Sequence, residues 1–401
     1  MARAVATCVH CGFCLPACPT YKVLGEEMDS PRGRIVLMKQ VLEGELTAAD
    51  VALHIDRCLG CLGCVTACPS GVRYGDLLVP FRGTTMPKAT SAMARARRWG
   101  LLDTLESPTL LRLSTWVGLM ARRAGRLVPP PLRPLVSLLP ARLPGHVVLP
   151  ALTPARGPRR ARVALLAGCA QQVLAPDIAV ATIRVLAANG VEVVVPPQQG
   201  CCGALALHSG EIDRAYGRAA ALVRVFPPDV DAIVTNAAGC GSAMKEYGHA
   251  FRGRAQEATM QAFSSRVRDV SEFLDDLGIL EPTTPVSPLT VAYHDACHLS
   301  HAQGIRSAPR RLLAGTGVRV VEIPDGDTCC GSAGLYNVEQ PEIASALGER
   351  KAQAVVATGA DAVAAGNIGC LVQIDAQLRR AGTTLPVLHT MQVIAQAYEE
   401  P

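Results

Sequence analysis

Eight of the sixteen cysteines fall in two copies of one pattern, C-x2-C-x2-C-x3-C-P. The first copy is Cys8, Cys11, Cys14, Cys18 and Pro19, and the second is Cys58, Cys61, Cys64, Cys68 and Pro69. Three thiolates at this spacing wrap one corner of a [4Fe–4S] cube while the fourth is aimed away, and where two such motifs share a chain it ligates the other cluster. The spacing therefore predicts one cluster on Cys8, Cys11, Cys14 and Cys68, and a second on Cys58, Cys61, Cys64 and Cys18. Zinc knuckles use two C-x2-C halves across a long gap, so a triple followed by C-P argues against zinc and against a disulfide framework.

A chain of 401 residues predicts two or three domains. Sixteen cysteines in that length is too sparse for a disulfide scaffold, and their clustering suits metal ligation in a reducing, cytoplasmic compartment. Only seven residues precede Cys8, too few for the charged and apolar regions of a secretory signal. No run of ~20 apolar residues predicts a spanning helix. Charge is uneven. From Ser107 to Pro176 there is no Asp or Glu, while Arg112, Arg122, Arg123, Arg126, Arg133, Arg142, Arg156, Arg159, Arg160 and Arg162 all fall there. A one-sign block implies a partner surface or an anionic membrane. With 4% aromatics and no supporting motif, nucleic acid is not expected.

Four units are expected. Residues 1–85 carry both motifs. Between them Ser30 caps a helix opening at Pro31 and running to Gly44, and Thr47 with Asp50 caps a second one leading to Cys58. Two helices between motifs predict an α-helical ferredoxin. Residues 86–160 read as a basic, Pro-rich linker, irregular from Pro129 to Pro158, with one amphipathic helix whose apolar side is Leu110, Leu113, Trp116, Val117 and Met120. That side either packs on the core or meets a membrane or partner.

Residues 161–285 and 286–401 are two copies of one repeat. Cys169, Cys201, Cys202 and Cys240 match Cys297, Cys329, Cys330 and Cys370 at offsets of 128, 128, 128 and 130 residues. Val163-Ala164 mirrors Val291-Ala292, and each Cys-Cys pair precedes a glycine, Gly203 or Gly331. Short β-branched runs alternate with helical stretches such as Asp177–Asn189 and Glu211–Phe226, predicting parallel sheets with covering helices and cysteines at the carboxyl edge. The fold class is thus multidomain α+β: a helical two-cluster ferredoxin, then two α/β cysteine-rich repeats.

Four thiols per repeat suffice for a further [4Fe–4S] centre in one or both copies. A zinc site or a redox-active dithiol are the alternatives, and plain packing does not explain vicinal pairs in register. His294, Asp295, His298 and His301 crowd around Cys297, and of these His298 or His301 suits a metal or a quinone oxygen. Arg32 and Arg34 oppose a helix dipole, which suggests either a neighbouring cluster, a partner carboxylate or a solvated helix end. There is no G-x-G-x-x-G, so neither NAD nor flavin is expected on this chain, and no substrate-oxidising site of its own is expected.

The runs Cys8-Val9-His10-Cys11-Gly12-Phe13-Cys14, Cys18-Pro19-Thr20-Tyr21, Asp29-Ser30-Pro31-Arg32-Gly33-Arg34-Ile35 and Cys68-Pro69-Ser70-Gly71-Val72-Arg73-Tyr74, with the twin repeats, resemble the iron–sulfur subunits of bacterial glycolate oxidases. The resemblance implies a complex peripheral to the inner face of the cell membrane. It implies a flavoprotein subunit, or two of FAD type, oxidising glycolate to glyoxylate, with electrons passing through this chain toward quinone or another acceptor. D-lactate, glycerol-3-phosphate and heterodisulfide enzymes share the architecture. Heterodisulfide-reductase-like repeats end in C-x2-C, whereas the first of those positions is Ala237 or Asn367 here, which disfavours disulfide reduction and favours cubane clusters. A zinc-bearing scaffold is the remaining alternative.

Overall fold

A computed structural model describes residues 1–86, 92–123, 133–284 and 289–398. Arg126, Pro129, Pro130 and Pro131 lie outside the described residues.

The N-terminal unit is helical around a core of Ile35, Met38, Val51, Ile55, Leu77, Leu78 and Phe81. Ser30 Oγ accepts the Gly33 N–H at 3.0 Å and starts the helix Pro31–Glu43, which Gly44 ends in a left-handed conformation. Thr47 and Asp50 form a reciprocal capping box for Ala48–Asp56. Both helices thus begin and stop where capping chemistry requires.

Each repeat holds a parallel sheet. The first comprises β1 (Leu152–Thr153), β2 (Ala161–Leu166), β3 (Val191–Val194), β4 (Ala232–Thr235) and β5 (Val267–Asp269), in the order β1-β3-β2-β4-β5 with only β1 antiparallel. The second comprises β6 (Thr290–His294), β7 (Arg319–Glu322), β8 (Ala362–Ala365) and β9 (Val387–His389), ordered β7-β6-β8-β9. The parallel orders are the same, and the chain reverses at β2 and at β6. In such sheets ligands sit at that reversal, beyond the carboxyl ends of the strands. Cys169 follows β2 and Cys240 follows β4; Cys297 follows β6 and Cys370 follows β8.

The repeats share one core. The helix after β2, Asp177–Ala188, packs on Thr390–Ala395 at the end of the second repeat, and Val270–Leu277 packs on Ser307–Gly315 in the reciprocal arrangement. Beyond the core, Ala238 N–H donates to Gly366 O at 3.1 Å, so the loops carrying Cys240 and Cys370 meet.

The segment before the repeats differs from a linker with one helix. It forms Ala92–Glu106, Pro108–Arg123 and the short Arg133–Leu138, which takes Pro134 in its first turn, where no N–H is needed. Glu106 is buried and binds Arg214 and Arg218 of the first repeat, tying the segment down. On Pro108–Arg123 the buried residues are Leu111, Thr115 and Leu119, while Leu113 is 59% and Trp116 53% exposed, with Leu110, Val117 and Met120 also exposed. The predicted apolar side therefore does not pack on the core. Several arginines of the basic block are satisfied internally. Arg122 donates to the carbonyls of Leu139, Pro140 and Ala141, Arg112 to Pro144, Arg160 to Leu277 and Gly278, while Arg159 and Arg162 pair with Glu192. Among the described residues no helix is long and apolar enough to cross a membrane.

Candidate metal centres

All sixteen cysteines are free thiols and fall into four groups. Cys8, Cys11, Cys14 and Cys68 line one small cavity, and Cys18, Cys58, Cys61 and Cys64 line its neighbour, with Cys64 on the wall of both. Each fourth cysteine thus lies with the other motif's triple. Local backbone does this. His10 and Leu62 hold φ of 58° and 61°, left-handed values that side chains disfavour, matched by Gly60 and Gly12 at the corresponding positions of the other motif. Two such residues per loop turn three thiols inward. Strain of this kind persists where the surroundings fix it, and it clusters at functional sites.

The two groups differ in exposure. Cys11 is exposed beside Val9 and Phe13, the latter 68% exposed. In the inner group Cys18 and Cys64 are buried and Cys58 and Cys61 half-buried, and desolvation pushes the Cys61 and Cys64 thiols well above their ordinary range. A cation relieves that penalty by taking the thiolate directly, so the donor set fits an iron–sulfur cluster. Arg34 stands beside it, 1% exposed. It donates to Thr20 Oγ1 at 3.0 Å and His54 O at 2.7 Å, pairs with Asp29 at 3.3 Å and lies 3.9 Å from Cys18 Sγ. Burial opposes its charge, but Cys58, Tyr74, Cys18 and Asp29 outweigh that and raise its pKa. This is not a solvated helix end; the cation serves an internal carboxylate and the inner thiols. Arg32 instead pairs with Glu27 at 2.8 Å and donates to His10 O at 3.1 Å, bracing the first loop.

In the first repeat the Cys169 and Cys201 sulfurs lie 3.6 Å apart. A hydrogen bond from Cys169, then one from Cys202, draws the Cys201 thiol well below its usual range, and hydrogen bonds with Cys201 and then Cys240 push Cys202 well above it. The second repeat reproduces the chain of contacts. Cys329 lowers Cys297, and Cys329 and then Cys370 lower Cys330. Gly203 and Gly331, at φ of 77° and 90°, turn the chain after each Cys-Cys pair, Gly203 directly into the helix Ala204–His208; a Cβ would come within 2.9 Å of Ala215 O or 2.6 Å of Ala344 O. The vicinal pairs need glycine after them for both reasons.

The inner ferredoxin thiols face the second repeat. Leu59 and Cys61 pack with Cys297, Cys329 and Tyr336. Tyr336 Oη donates to Arg57 O at 2.8 Å, and Arg82 joins Cys58 O at 2.6 Å to His208 O at 3.1 Å. His301, a predicted ligand, bonds Thr66 Oγ1 at 2.9 Å and Asp327 O at 3.1 Å and so braces this junction. His298 Nδ1 lies 3.5 Å from Cys297 Sγ. Its ring centroid is 4.8 Å from that of His208. Both line a cavity of about 1200 Å³, together with Cys169, Cys201, Cys202 and Cys240, whose far wall is Trp99, Leu110, Leu113 and Val117. His208 has no counterpart signal in sequence, and burial lowers its pKa to about 3.

The sequence matches the 4Fe-4S dicluster domain family over residues 4–72 and the Cysteine-rich domain family over residues 163–245 and 291–375. It is 36% identical to the "Glycolate oxidase iron-sulfur subunit" of Escherichia coli (strain K12), covering 98% of this chain and 94% of that one. The chain belongs to the glycolate oxidase iron–sulfur subunit family. Within that family, the "Probable glycolate oxidase iron-sulfur subunit" of Bacillus subtilis (strain 168) is 35% identical over 97% of this chain and 93% of its own. A shorter relative, "Lactate utilization protein A" of Oceanobacillus iheyensis, is 29% identical and covers 58% of this chain and 96% of its own. The chain thus combines a dicluster unit with two cysteine-rich repeats, as described above.

Proposed function

We propose that this chain is the electron-transferring subunit of a complex that oxidises glycolate or a close 2-hydroxyacid, receiving electrons from a partner flavoprotein and passing them toward a quinone. The observation that carries this reading is the line of thiol groups from Cys8, Cys11, Cys14 and Cys68, of which Cys11 is exposed, through Cys18, Cys58, Cys61 and Cys64, of which Cys18 and Cys64 are buried, to Cys297 and Cys329 packed on Cys61 and Leu59. In this reading the first two sets each hold a [4Fe–4S] cluster with Cys18 and Cys68 crossed, and the thiols of one or both repeats hold a further iron–sulfur centre. Such clusters supply one-electron storage at a potential set by burial and by hydrogen bonds to sulfur.

The chain's own residues tune and position. Arg34 keeps a cation beside Cys18 and Cys58. Val9 and Phe13 offer the exposed apolar rim at which the flavoprotein would dock. The units 1–85, 86–160, 161–285 and 286–401 then divide entry, attachment and onward transfer. The exposed face of Pro108–Arg123, continuous with the cavity that reaches His208 and His298, supports attachment to the inner face of a membrane and access for a lipophilic acceptor.

Lactate as substrate is the second reading, favoured by the 58% overlap with the lactate utilisation relative. Disulfide reduction is disfavoured because Asn367 holds its position by donating to Cys370 Sγ at 3.5 Å, where a fifth thiol would be needed. The test is anaerobic mixing of the holo chain with its glycolate-oxidising flavoprotein. Glycolate should bleach the iron–sulfur absorbance only when both are present. Bleaching by D-lactate alone would favour the second reading, and none by either would reject electron entry from a hydroxyacid.

A further inference from the structure

The two repeats differ at one buried position. β2 ends at Leu166 and β6 at His294, each three residues before the first cysteine of its repeat. The registers agree: Leu166 lies opposite Thr235 on β4, and His294 opposite Ala365 on β8. Leu166 is ordinary core for a buried parallel strand. His294 is 0% exposed in the same setting.

An imidazole buried there needs partners. Neither His294 Nδ1 nor Nε2 has a nitrogen or oxygen hydrogen-bond partner among the described residues. Ala365 is its register partner on β8, and Cys330 is the thiol in hydrogen-bond contact with the ring. Buried polar groups without partners are rare in folded proteins and call for an explanation such as an ion. The ligand atoms of His294, Cys330 and Cys370 all lie within 4.8 Å of one another, a spacing one metal ion can span. A ring nitrogen and two sulfurs are a donor set for iron or zinc.

We propose that His294 is a ligand of the second repeat's metal centre, beside Cys330 and Cys370, so that the two repeats hold centres of different donor sets. The first is all sulfur; in the second an imidazole nitrogen takes the place of one thiolate. This rests on the reading that the repeats bind metal. A neutral imidazole leaves a centre less negative than a thiolate does, and in two-iron clusters histidine ligation raises the potential. Other differences act in the same direction. Asn367 Nδ2 donates to Cys370 Sγ, whereas its first-repeat counterpart, Ala237, has no side-chain donor. Hydrogen bonds to sulfur raise potential as well. The second repeat is then the electron-attracting member of the pair, on the side where Cys61 packs against Cys297.

The test uses the full holo chain, purified without air, with histidine labelled by 15N, and three variants. His294→Leu copies the first repeat, His294→Cys restores a donor, and Cys370→Ser removes a thiol. Pulsed EPR of the dithionite-reduced protein, or X-ray absorption at the zinc edge if metal analysis finds zinc, should detect one bound imidazole nitrogen. That signal should vanish in His294→Leu and His294→Cys while the ferredoxin spectra stay unchanged. Metal lost in His294→Leu should return in His294→Cys. Wild-type protein with metal in the second repeat but no bound nitrogen, or a nitrogen signal that survives in His294→Leu, overturns the proposal. If Cys370→Ser loses no metal at all, the reading of the repeats as metal centres is what has failed, and the proposal falls with it.

Discussion

His389, at the end of the second repeat's last strand, donates from Nε2 to the main-chain oxygen of Asn236 in the first repeat at 2.7 Å, while its Nδ1 accepts the Met391 N–H at 3.0 Å. Asn236 in turn bonds Gln171 and Thr182. One neutral imidazole therefore caps a helix and joins the two halves of the shared core.

A proton on Nδ1 would face the Met391 N–H, and burial lowers the His389 pKa from 6.5 to about 4. The folded state binds fewer protons than the unfolded chain between those values. The stability is present above pH 6.5 and lost as pH falls toward 4, about 2 kcal/mol of it between pH 7 and 5. Buried Asp269, pushed up to about 6, acts oppositely and flattens the overall profile. Comparison with His389→Asn isolates the histidine. Urea midpoints at pH 7 and 5 should differ more in the wild type than in the variant, and equal pH sensitivity would remove the role assigned to this bond.

Arg34→Ala should cost about 3 kcal/mol, the lower end for breaking a buried pair, since Asp29 keeps Arg57 at 2.9 Å. It should also lower the potential of the inner cluster by removing a cation from beside Cys18. Redox titration of the anaerobic protein reads this, and an unchanged potential would make Arg34 purely structural.

Vesicle binding should depend on the exposed side of Pro108–Arg123 more than on the arginines. Arg112 and Arg122 are engaged with backbone carbonyls, so reversing them perturbs the local fold. Leu113→Ser with Trp116→Ser and Val117→Ser should release the protein from anionic vesicles with iron content intact, since interfacial Trp and apolar area anchor such helices. Undiminished cosedimentation of the triple variant would rule this face out.

What could be read from the sequence was whatever local spacing determines. The motif spacing alone predicts that Cys18 and Cys68 lie with the opposite triples, and the two sets share cavities in that arrangement. Ser30, Thr47 and the strand-to-cysteine offsets are likewise local. Long-range contacts left no such trace. Leu113, Trp116 and Val117 have the period of a core face, but Glu106 anchors the segment so that Leu111, Thr115 and Leu119 turn inward. His298 and His301 drew attention by proximity to Cys297, yet it is His294 whose ligand atom meets the sulfurs of Cys330 and Cys370. The signal for it was present: aligning the repeats sets a histidine against Leu166.

Metal stoichiometry separates cluster-binding thiols in the repeats from merely packed ones. Iron, zinc and acid-labile sulfide should be counted per chain in anaerobically purified full-length protein, alongside Cys18→Ser, Cys202→Ser and Cys330→Ser. With cubanes in both ferredoxin sites and in one or both repeats, the wild type should hold about 12–16 irons, and Cys18→Ser should lose about four with the inner cluster's spectrum. Cys202→Ser and Cys330→Ser should each remove metal from one repeat alone. A wild-type count of about eight irons without zinc, unchanged by either repeat variant, would contradict the account.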